Sequence, residues 1–315
     1  MAYAELTATS PDDVIDKIAT FASSNGWTIH RNTLVSTNRT LTLSKGTDYI
    51  HVYNTNNTDV YLLISVGYDG ALAPSAQPNP SGSARTNLLA GPYTKLYLFA
   101  DSSPSNYIHV AVETSGGIFR HMSFGMMDKL GTWTGGTYVD GTYWWLGSLT
   151  AYSWNEYHSA LFCSRSYYPN TTCGSIRCDI AEDSVTNGFA RLSDNGFSYR
   201  AYTGLYGGRS NNADGTGYLM SQFYNRNAAP FSSQVTLGTI LVDVQRTGGF
   251  WSLIGAFPNV RYLNLANFAP GQEITIGTDT WKVFPMLRKG VGTGGNPAGD
   301  IPYSDNHGYA FKKTA

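Results

Sequence analysis

The residues whose types could support acid–base chemistry lie close together in the segment YIHVAVETSGGIFRHMSFGMMDKL, residues 107–130. It contains two histidines, His109 and His121, and histidine is the side chain whose unperturbed pKa lies nearest to neutral pH. A general acid and a general base would also need a nucleophile held against the base. No Gly-x-Ser-x-Gly motif supplies such a nucleophile. The sequence therefore favours a non-catalytic role for the two histidines.

The alternation of side chains predicts that this segment is a β-hairpin turned at Gly116-Gly117. On this pattern His109 shares a face with Glu113, and His121 lies on the opposite face from Arg120. A turn centred on the two glycines brings Glu113 next to Arg120, so we expect a cross-strand ion pair. We interpret the hairpin as scaffold whose polar residues serve the structure.

Three cysteines and a histidine form a second candidate for chemistry: His158, Cys163, Cys173 and Cys178. Together they could supply the four ligands of a tetrahedral zinc site. Their spacing lacks the C-x2-C pair that makes a zinc motif specific. We therefore predict no metal and no cofactor, and reduced, partly buried cysteines. A disulfide between two of them, formed after release into an oxidising medium, is the alternative.

Acidic residues and a glycine-rich run give two weaker candidates. Glu182, Asp183 and Asp194 could be the acid and base of a polysaccharide-degrading enzyme. Acidic residues near turns more often cap or form those turns. The run GVGTGGNPAG lacks the Gly-Lys-Ser/Thr ending of a phosphate-binding loop. Neither pattern predicts an enzyme.

Aromatic residues cluster in two segments, YWWLGSLTAYSWNEYH and SYRAYTGLYGG. Trp144 and Trp145 belong to the first of these. Such residues could stack against sugars, or they could be buried between domains or subunits. We favour the second interpretation and predict Trp144 and Trp145 as interaction residues.

The composition narrows the choice of function. The 315 residues carry a net charge of −1, and only 14% are charged while 14% are aromatic. This balance predicts neither nucleic acid nor an anionic membrane as a partner. The first residues show no basic region followed by an apolar run, and no apolar run reaches the roughly 18 residues of a membrane span. We expect a protein that is made in a cytosol. Its low content of charged residues favours a role as a subunit of an assembly.

Local patterns predict one helix followed by strands. Ser10 as N-cap, Pro11 in the first turn and a stop at Asn25-Gly26 predict an amphipathic helix packed on a sheet. Antiparallel strands are predicted for RTLTLSKG, DYIHVYNT, DVYLLISVGY, TKLYLFAD and NYIHVAVE, and residues 70–92 are predicted to be a long surface loop.

These elements predict an α+β fold that is predominantly antiparallel β. Residues 1–130 would hold the N-terminal helix and an antiparallel sheet. Residues 131–230 would form a Gly/Tyr-rich, loop-rich aromatic insertion with local strands, and residues 231–315 a C-terminal β region. Whether the last region packs on the first stays open.

A resemblance to a known family is carried by five segments: LYLFAD, NYIHVAVETSGGIFRHMSFGMMDKLGTWTGGTYV, SLIGAFPNVRYLNL, GQEITIGTDTWKVFPMLRKG and SDNHGYAFKK. Together they are similar to a family of tailed-bacteriophage virion structural proteins. The segments cover roughly half of the chain, towards its two ends, and residues 148–234 show no such similarity.

The resemblance implies a non-enzymatic virion component of the tail or baseplate, made in the cytoplasm of the host bacterium. It implies several symmetric copies, such as a trimer or a hexamer, with other virion proteins as further partners. Two alternatives stay open. One is a receptor- or glycan-binding module of the tail tip that recognises a host surface glycan. The other is a structural protein associated with the capsid or the neck.

One short stretch of the resemblance bears on subunit contacts. Phe124, Gly125 and Lys129 match an FG-x-x-x-K pattern of the family, and the Trp-Thr-Gly-Gly run at 133–136 matches as well. Met126-Met127 departs from the family, where a more polar residue is expected. We predict Phe124, Met126 and Met127 as contacts with the next subunit, with burial in the core as the alternative.

Overall fold

The predicted helix is confirmed, together with the signals that begin and end it. Helix α1 spans Pro11–Ser24, and the Ser10 hydroxyl accepts a hydrogen bond from the Asp13 N–H at 3.4 Å. Asn25 is the C-cap, and Gly26 follows with a φ of 75°, a left-handed conformation that suits glycine. The buried side of the helix consists of Pro11, Val14, Ile15, Ile18, Ala19 and Ala22.

The computed structural model describes residues 1–144, 158–164, 174–181, 188–193, 201–202, 235–246, 248–289 and 306–314. In chain order the elements are β1 (Ala2–Ala8), α1 (Pro11–Ser24), β2 (Thr28–Val35), β3 (Asn38–Ser44), β4 (Tyr49–Asn54), β5 (Asp59–Ser65), a 3-10 turn (Pro74–Ala76), β6 (Ala84–Asn87), β7 (Tyr93–Asp101), β8 (Tyr107–Ser115), β9 (Ile118–Met126), β10 (Asp128–Lys129), β11 (Gly135–Gly141), β12 (Tyr143–Trp144), β13 (His158–Ala160), β14 (Cys163–Ser164), β15 (Ser175–Cys178), β16 (Phe189–Ser193), β17 (Ala201–Tyr202), β18 (Gly238–Arg246), β19 (Phe250–Asn264), β20 (Glu273–Ile276), β21 (Asp279–Pro285) and β22 (His307–Thr314).

Within these ranges the strands form three sheets, and nearly all of the pairing is antiparallel. Strands β2 to β6 form a five-stranded meander. The largest sheet has the order β1-β7-β8-β9-β11-β15-β16-β17-β18-β19-β22-β21-β20, and β10 pairs with β19. Strands β12, β13 and β14 form a small third sheet. The prediction of a mainly antiparallel β protein is confirmed.

Two expectations about the N-terminal region are wrong. Strand β1 precedes the helix and pairs with β7, whereas the sequence was expected to begin its regular structure with the helix. Residues 70–92 were expected to be loop, but β6 lies within them and completes the five-stranded sheet through Asp59↔Asn87 to Leu62↔Ala84. Strand β6 has only four residues, and β1 pairs with a strand that follows the helix and the five-stranded sheet in the sequence, so local patterns reveal neither strand.

The β7-β8-β9 part of the large sheet is buried on both faces. One face contributes Leu96, Leu98, Val110 and Phe124 to a cluster shared with α1 and the inner face of the five-stranded sheet. The other face contributes Phe99, Ala111 and Phe119 to a second cluster, shared with Phe257, Phe284 and Phe311 of the C-terminal strands. Burial on both faces excludes water from the middle of the hairpin of β8 and β9.

The large sheet draws strands from each of the three predicted regions. Strands β1 and β7 to β10 come from residues 1–130, β11 and β15 to β17 from 131–230, and β18 to β22 from 231–315. The proposed region boundaries stay predictions.

Among the described residues, no helix combines the length and the apolar character needed to cross a membrane.

Candidate functional site

The β8–β9 hairpin carries the residues that were candidates for acid–base chemistry, and a bulge sets its register. Ser115 lies opposite Ile118 across the turn, but the register shifts between Ser115 and Glu113. Glu113 therefore lies opposite Phe119, and Arg120 lies opposite Val112. One unpaired residue in β8 thus displaces every pair beyond it by one position.

The expected ion pair between Glu113 and Arg120 is wrong because of this shift. Glu113 Oε1 instead accepts a hydrogen bond from the Gly117 N–H at 3.1 Å, which ties the acid to its own turn. Arg120 points to the opposite side of the hairpin, where its Nε donates to the carbonyl of Asn87 at 2.9 Å. The guanidinium is fully buried, and burial lowers the pKa of Arg120 to about 10.

His109 is the centre of a buried chain of hydrogen bonds. Its Nε2 lies 2.8 Å from the carbonyl oxygen of Pro258, which can only accept, so Nε2 carries the proton. Its Nδ1 then accepts from the Ser123 hydroxyl at 2.7 Å, and Ser123 Oγ lies 3.0 Å from the hydroxyl of Tyr138. Burial lowers the pKa of His109 to about 3, although the bond to Pro258 acts in the opposite direction. The ring is neutral at pH 7.

His121 has an equivalent role on the same face of the hairpin. Its Nε2 donates to the carbonyl oxygen of Pro285 at 2.9 Å, and its ring packs among Phe284, Tyr309 and Phe311. Burial lowers the pKa of His121 to about 4. Each histidine thus ties the central hairpin to the carbonyl of a proline in a distant strand.

Ser123 and His109 have the distance of a nucleophile and its base, and the sequence did not reveal this pair. Both side chains are fully buried, and so is Tyr138. A substrate cannot reach an atom with no exposed surface unless the layers separate. By alternation, Ser123 shares a face of β9 with His121. The bulge in β8 puts it directly opposite His109 as well.

The predicted subunit contacts of β9 divide between core and surface. Phe124 is fully buried and Met127 is 1% exposed, so the prediction that these two side chains contact another subunit is wrong. Phe124 packs edge-on against Trp27 with ring centroids 5.9 Å apart. Met126 is partly exposed and keeps its candidate role.

Asp140 is a buried acid that the sequence did not single out. Its Oδ2 accepts from the N–H of Phe162 at 2.5 Å, and its Oδ1 accepts from the N–H of Gly141 at 2.8 Å. Burial raises the pKa of Asp140 to about 7, against the lowering effect of these bonds and one from Gly174. Phe162 itself stacks on Phe257 with a centroid distance of 3.8 Å. Asp140 thus fastens the β13–β14 turn to the core.

The four candidate zinc ligands are only partly within the described residues. Cys178 is a free, buried thiol in β15, and burial raises its pKa. His158 lies in β13 and Cys163 in β14, while Cys173 lies outside the described residues. Within the described ranges, no group of three or more His, Cys, Asp or Glu residues is placed to hold a metal ion.

The remaining candidates also fall largely outside the described residues. Glu182, Asp183, Asp194 and Trp145 lie in the gaps. Trp144 ends β12, where its backbone pairs with that of His158. The roles predicted for these residues stay predictions.

A comparison with models of known protein families found no match, and a comparison with curated proteins found none either.

Proposed function

We propose that the chain is a non-enzymatic structural component of a tailed-bacteriophage virion, located in the tail or baseplate. In this proposal it acts through contacts between copies of itself and with other virion proteins. The sequence resemblance motivates the proposal. The burial of His109, Arg120 and His121 in the middle of a layered β structure supports it, since these side chains serve packing.

The observation that carries the proposal is a pair of exposed leucines on one face of the β18–β19 ribbon. Leu253 lies opposite Asp243, and Leu241 is two residues from Asp243, so both leucines project from the same face. Leu241 is 39% exposed and Leu253 is 41% exposed. Exposed neighbouring apolar side chains are typical of protein–protein contact surfaces.

A second copy of the chain is the partner that we propose for this face. With a net charge of −1 and few charged residues, copies of the chain repel each other weakly. Interfaces between permanent subunits are also more apolar than the rest of the surface. The two leucines would form part of such an interface.

Sedimentation of the purified full chain tests the proposal. We expect a concentration-dependent oligomer that Leu253→Glu weakens by at least about tenfold, because a charge would have to be buried in the interface. Leu34→Glu is the matched control, since Leu34 is 48% exposed on β2, in the other sheet. This control should sediment like the wild type.

A chain that stays monomeric at all concentrations and is absent from purified particles would refute the proposal. Detection in particles but away from the tail would move the protein to the capsid or neck and retain the virion role. If the two glutamate variants weaken the oligomer equally, the ribbon face is not the contact surface.

A further inference from the structure

A small cleft lies beside Met126, a predicted contact residue that is partly exposed. The β3–β4 turn forms one wall, and the ends of β8, β9 and β11 form the other. Trp27, Lys45, Asp48 and Asn106 line it together with Met126 and neighbouring backbone. Its space of ≈ 20 Å³ admits one oxygen atom of a larger group and is too small for a sugar ring.

Trp27, which lines this cleft, carries an unused hydrogen-bond donor. The residue is 5% exposed, and its indole Nε1 is buried with no hydrogen-bond partner among the described residues. The ring is held in place by its edge-on contact with Phe124. An indole N–H can only donate, so the missing partner must be an acceptor. Leaving such a donor unpaired is unfavourable by an amount comparable to a lost hydrogen bond.

The charges around the cleft favour an anionic acceptor. Lys45 donates to the carbonyl of Asn25 at 2.6 Å, which uses one of the three N–H groups of its ammonium. Asp48 is the one acid in the lining, and its carboxylate is occupied by the Thr137 hydroxyl and the Arg177 guanidinium. Because Arg177 neutralises Asp48, the positive charge of Lys45 is not balanced by an acid in the lining of the cleft.

We propose that this cleft binds a carboxylate group. One carboxylate oxygen accepts the Trp27 N–H, and the Lys45 ammonium supplies the opposite charge. The group comes either from a small free carboxylate or from an Asp or Glu side chain of a second copy. The second source rests on the proposed function, whereas the first does not.

Nuclear magnetic resonance of the full chain, labelled with ¹⁵N at tryptophan, tests the proposal. Trp27→Phe identifies the Trp27 indole N–H signal. We expect sodium acetate to shift this signal saturably relative to sodium chloride at equal ionic strength. Acetamide, which has a similar shape but no charge, should bind at least about tenfold more weakly. Lys45→Met should weaken acetate binding by a similar factor.

Trp133 provides an internal control. Its indole Nε1 is also buried and has no hydrogen-bond partner within the part of the chain that the structure describes. Lys129 lies over its ring at 5.1 Å, but Trp133 does not line the cleft. Its signal should stay fixed. If the Trp133 and Trp27 signals move together, the response is a general salt effect and the proposal fails.

Dilution of the protein in the absence of acetate identifies the source of the carboxylate. A Trp27 signal that changes with protein concentration, and loses this dependence in Lys45→Met, identifies a second copy. A signal that is independent of concentration but moves with acetate identifies a free carboxylate. A signal that responds to neither overturns the proposal, and normal oligomers in the same sample would leave the proposed function intact.

Discussion

At the scale of single residues, three buried histidines stabilise the fold only while they are neutral. Burial lowers the pKa of His51 to about 4, of His109 to about 3 and of His121 to about 4. The histidines of the unfolded chain titrate near ~6.5. Below that pH the unfolded state binds more protons than the folded state, so stability is lost as the pH falls.

Protonation of Asp140 has the opposite effect on stability over the same pH range. Its folded pKa of about 7 exceeds the value of about 4 expected for an unfolded aspartate, so the folded state binds the extra proton. One such acid offsets roughly one of the three histidines. The net expectation is a protein that is less stable at pH 5 than at pH 7.5.

His51→Gln should reduce this acid sensitivity. The imidazole of His51 lies between the hydroxyls of Thr42 at 3.0 Å and Ser65 at 2.8 Å, and a glutamine amide can bond to hydroxyls of this kind. We expect the loss of unfolding free energy between pH 7.5 and pH 5 to shrink by about 2 kcal/mol. Urea unfolding at the two pH values measures it. His30→Gln, at an exposed position, is the control, and an equal change in both variants would contradict the argument.

At the scale of elements, β8 and β9 approach each other so closely that one position tolerates only glycine. Gly125 has a φ of 143°, and a Cβ there would lie 2.3 Å from the carbonyl oxygen of Asn106 and 2.5 Å from Tyr107 Cα. We expect Gly125→Ala to destabilise the protein by about 2–4 kcal/mol, measured by urea unfolding. Gly116→Ala in the turn of the same hairpin meets nothing within 4 Å and should change stability by less than about 0.5 kcal/mol. Equal losses in the two variants would contradict this reason.

The same hairpin shows what sequence patterns can and cannot predict. Alternation correctly predicted the two faces of β8 and β9, because side chains of a strand alternate whatever lies beyond them. It did not predict the bulge before Ser115, since no residue type there demands one. The pairs Glu113–Phe119 and His109–Ser123 depend on that bulge. The candidate site was therefore predictable in its residues but not in its contacts.

At the scale of the whole molecule, the pairings that sequence patterns missed are the ones that join distant segments. Strand β1 pairs with β7 across the helix and the entire five-stranded sheet, and β19 pairs with β22 across the β20–β21 hairpin. Local periodicity contains no information about such partners. Local periodicity predicts most of the strands in residues 1–130, but it does not predict that these strands are divided between two different sheets.

The aromatic contacts between strands β7 to β9 and the C-terminal strands predict that residues 1–130 do not fold alone. In the full chain Phe99 lies 5.3 Å from Phe311, Phe119 lies 5.4 Å from Phe284, and His109 lies 5.1 Å from Phe311, measured between ring centroids. Removing residues 131–315 would expose this face of β7, β8 and β9 to water, and each large apolar side chain contributes about 1.5–3 kcal/mol by its burial. We expect the fragment to bind a hydrophobic dye and to lack a cooperative unfolding transition. Co-expression with residues 131–315 should restore both properties of the full chain. A fragment 1–130 that unfolds cooperatively by itself would instead establish the N-terminal region as an independent domain.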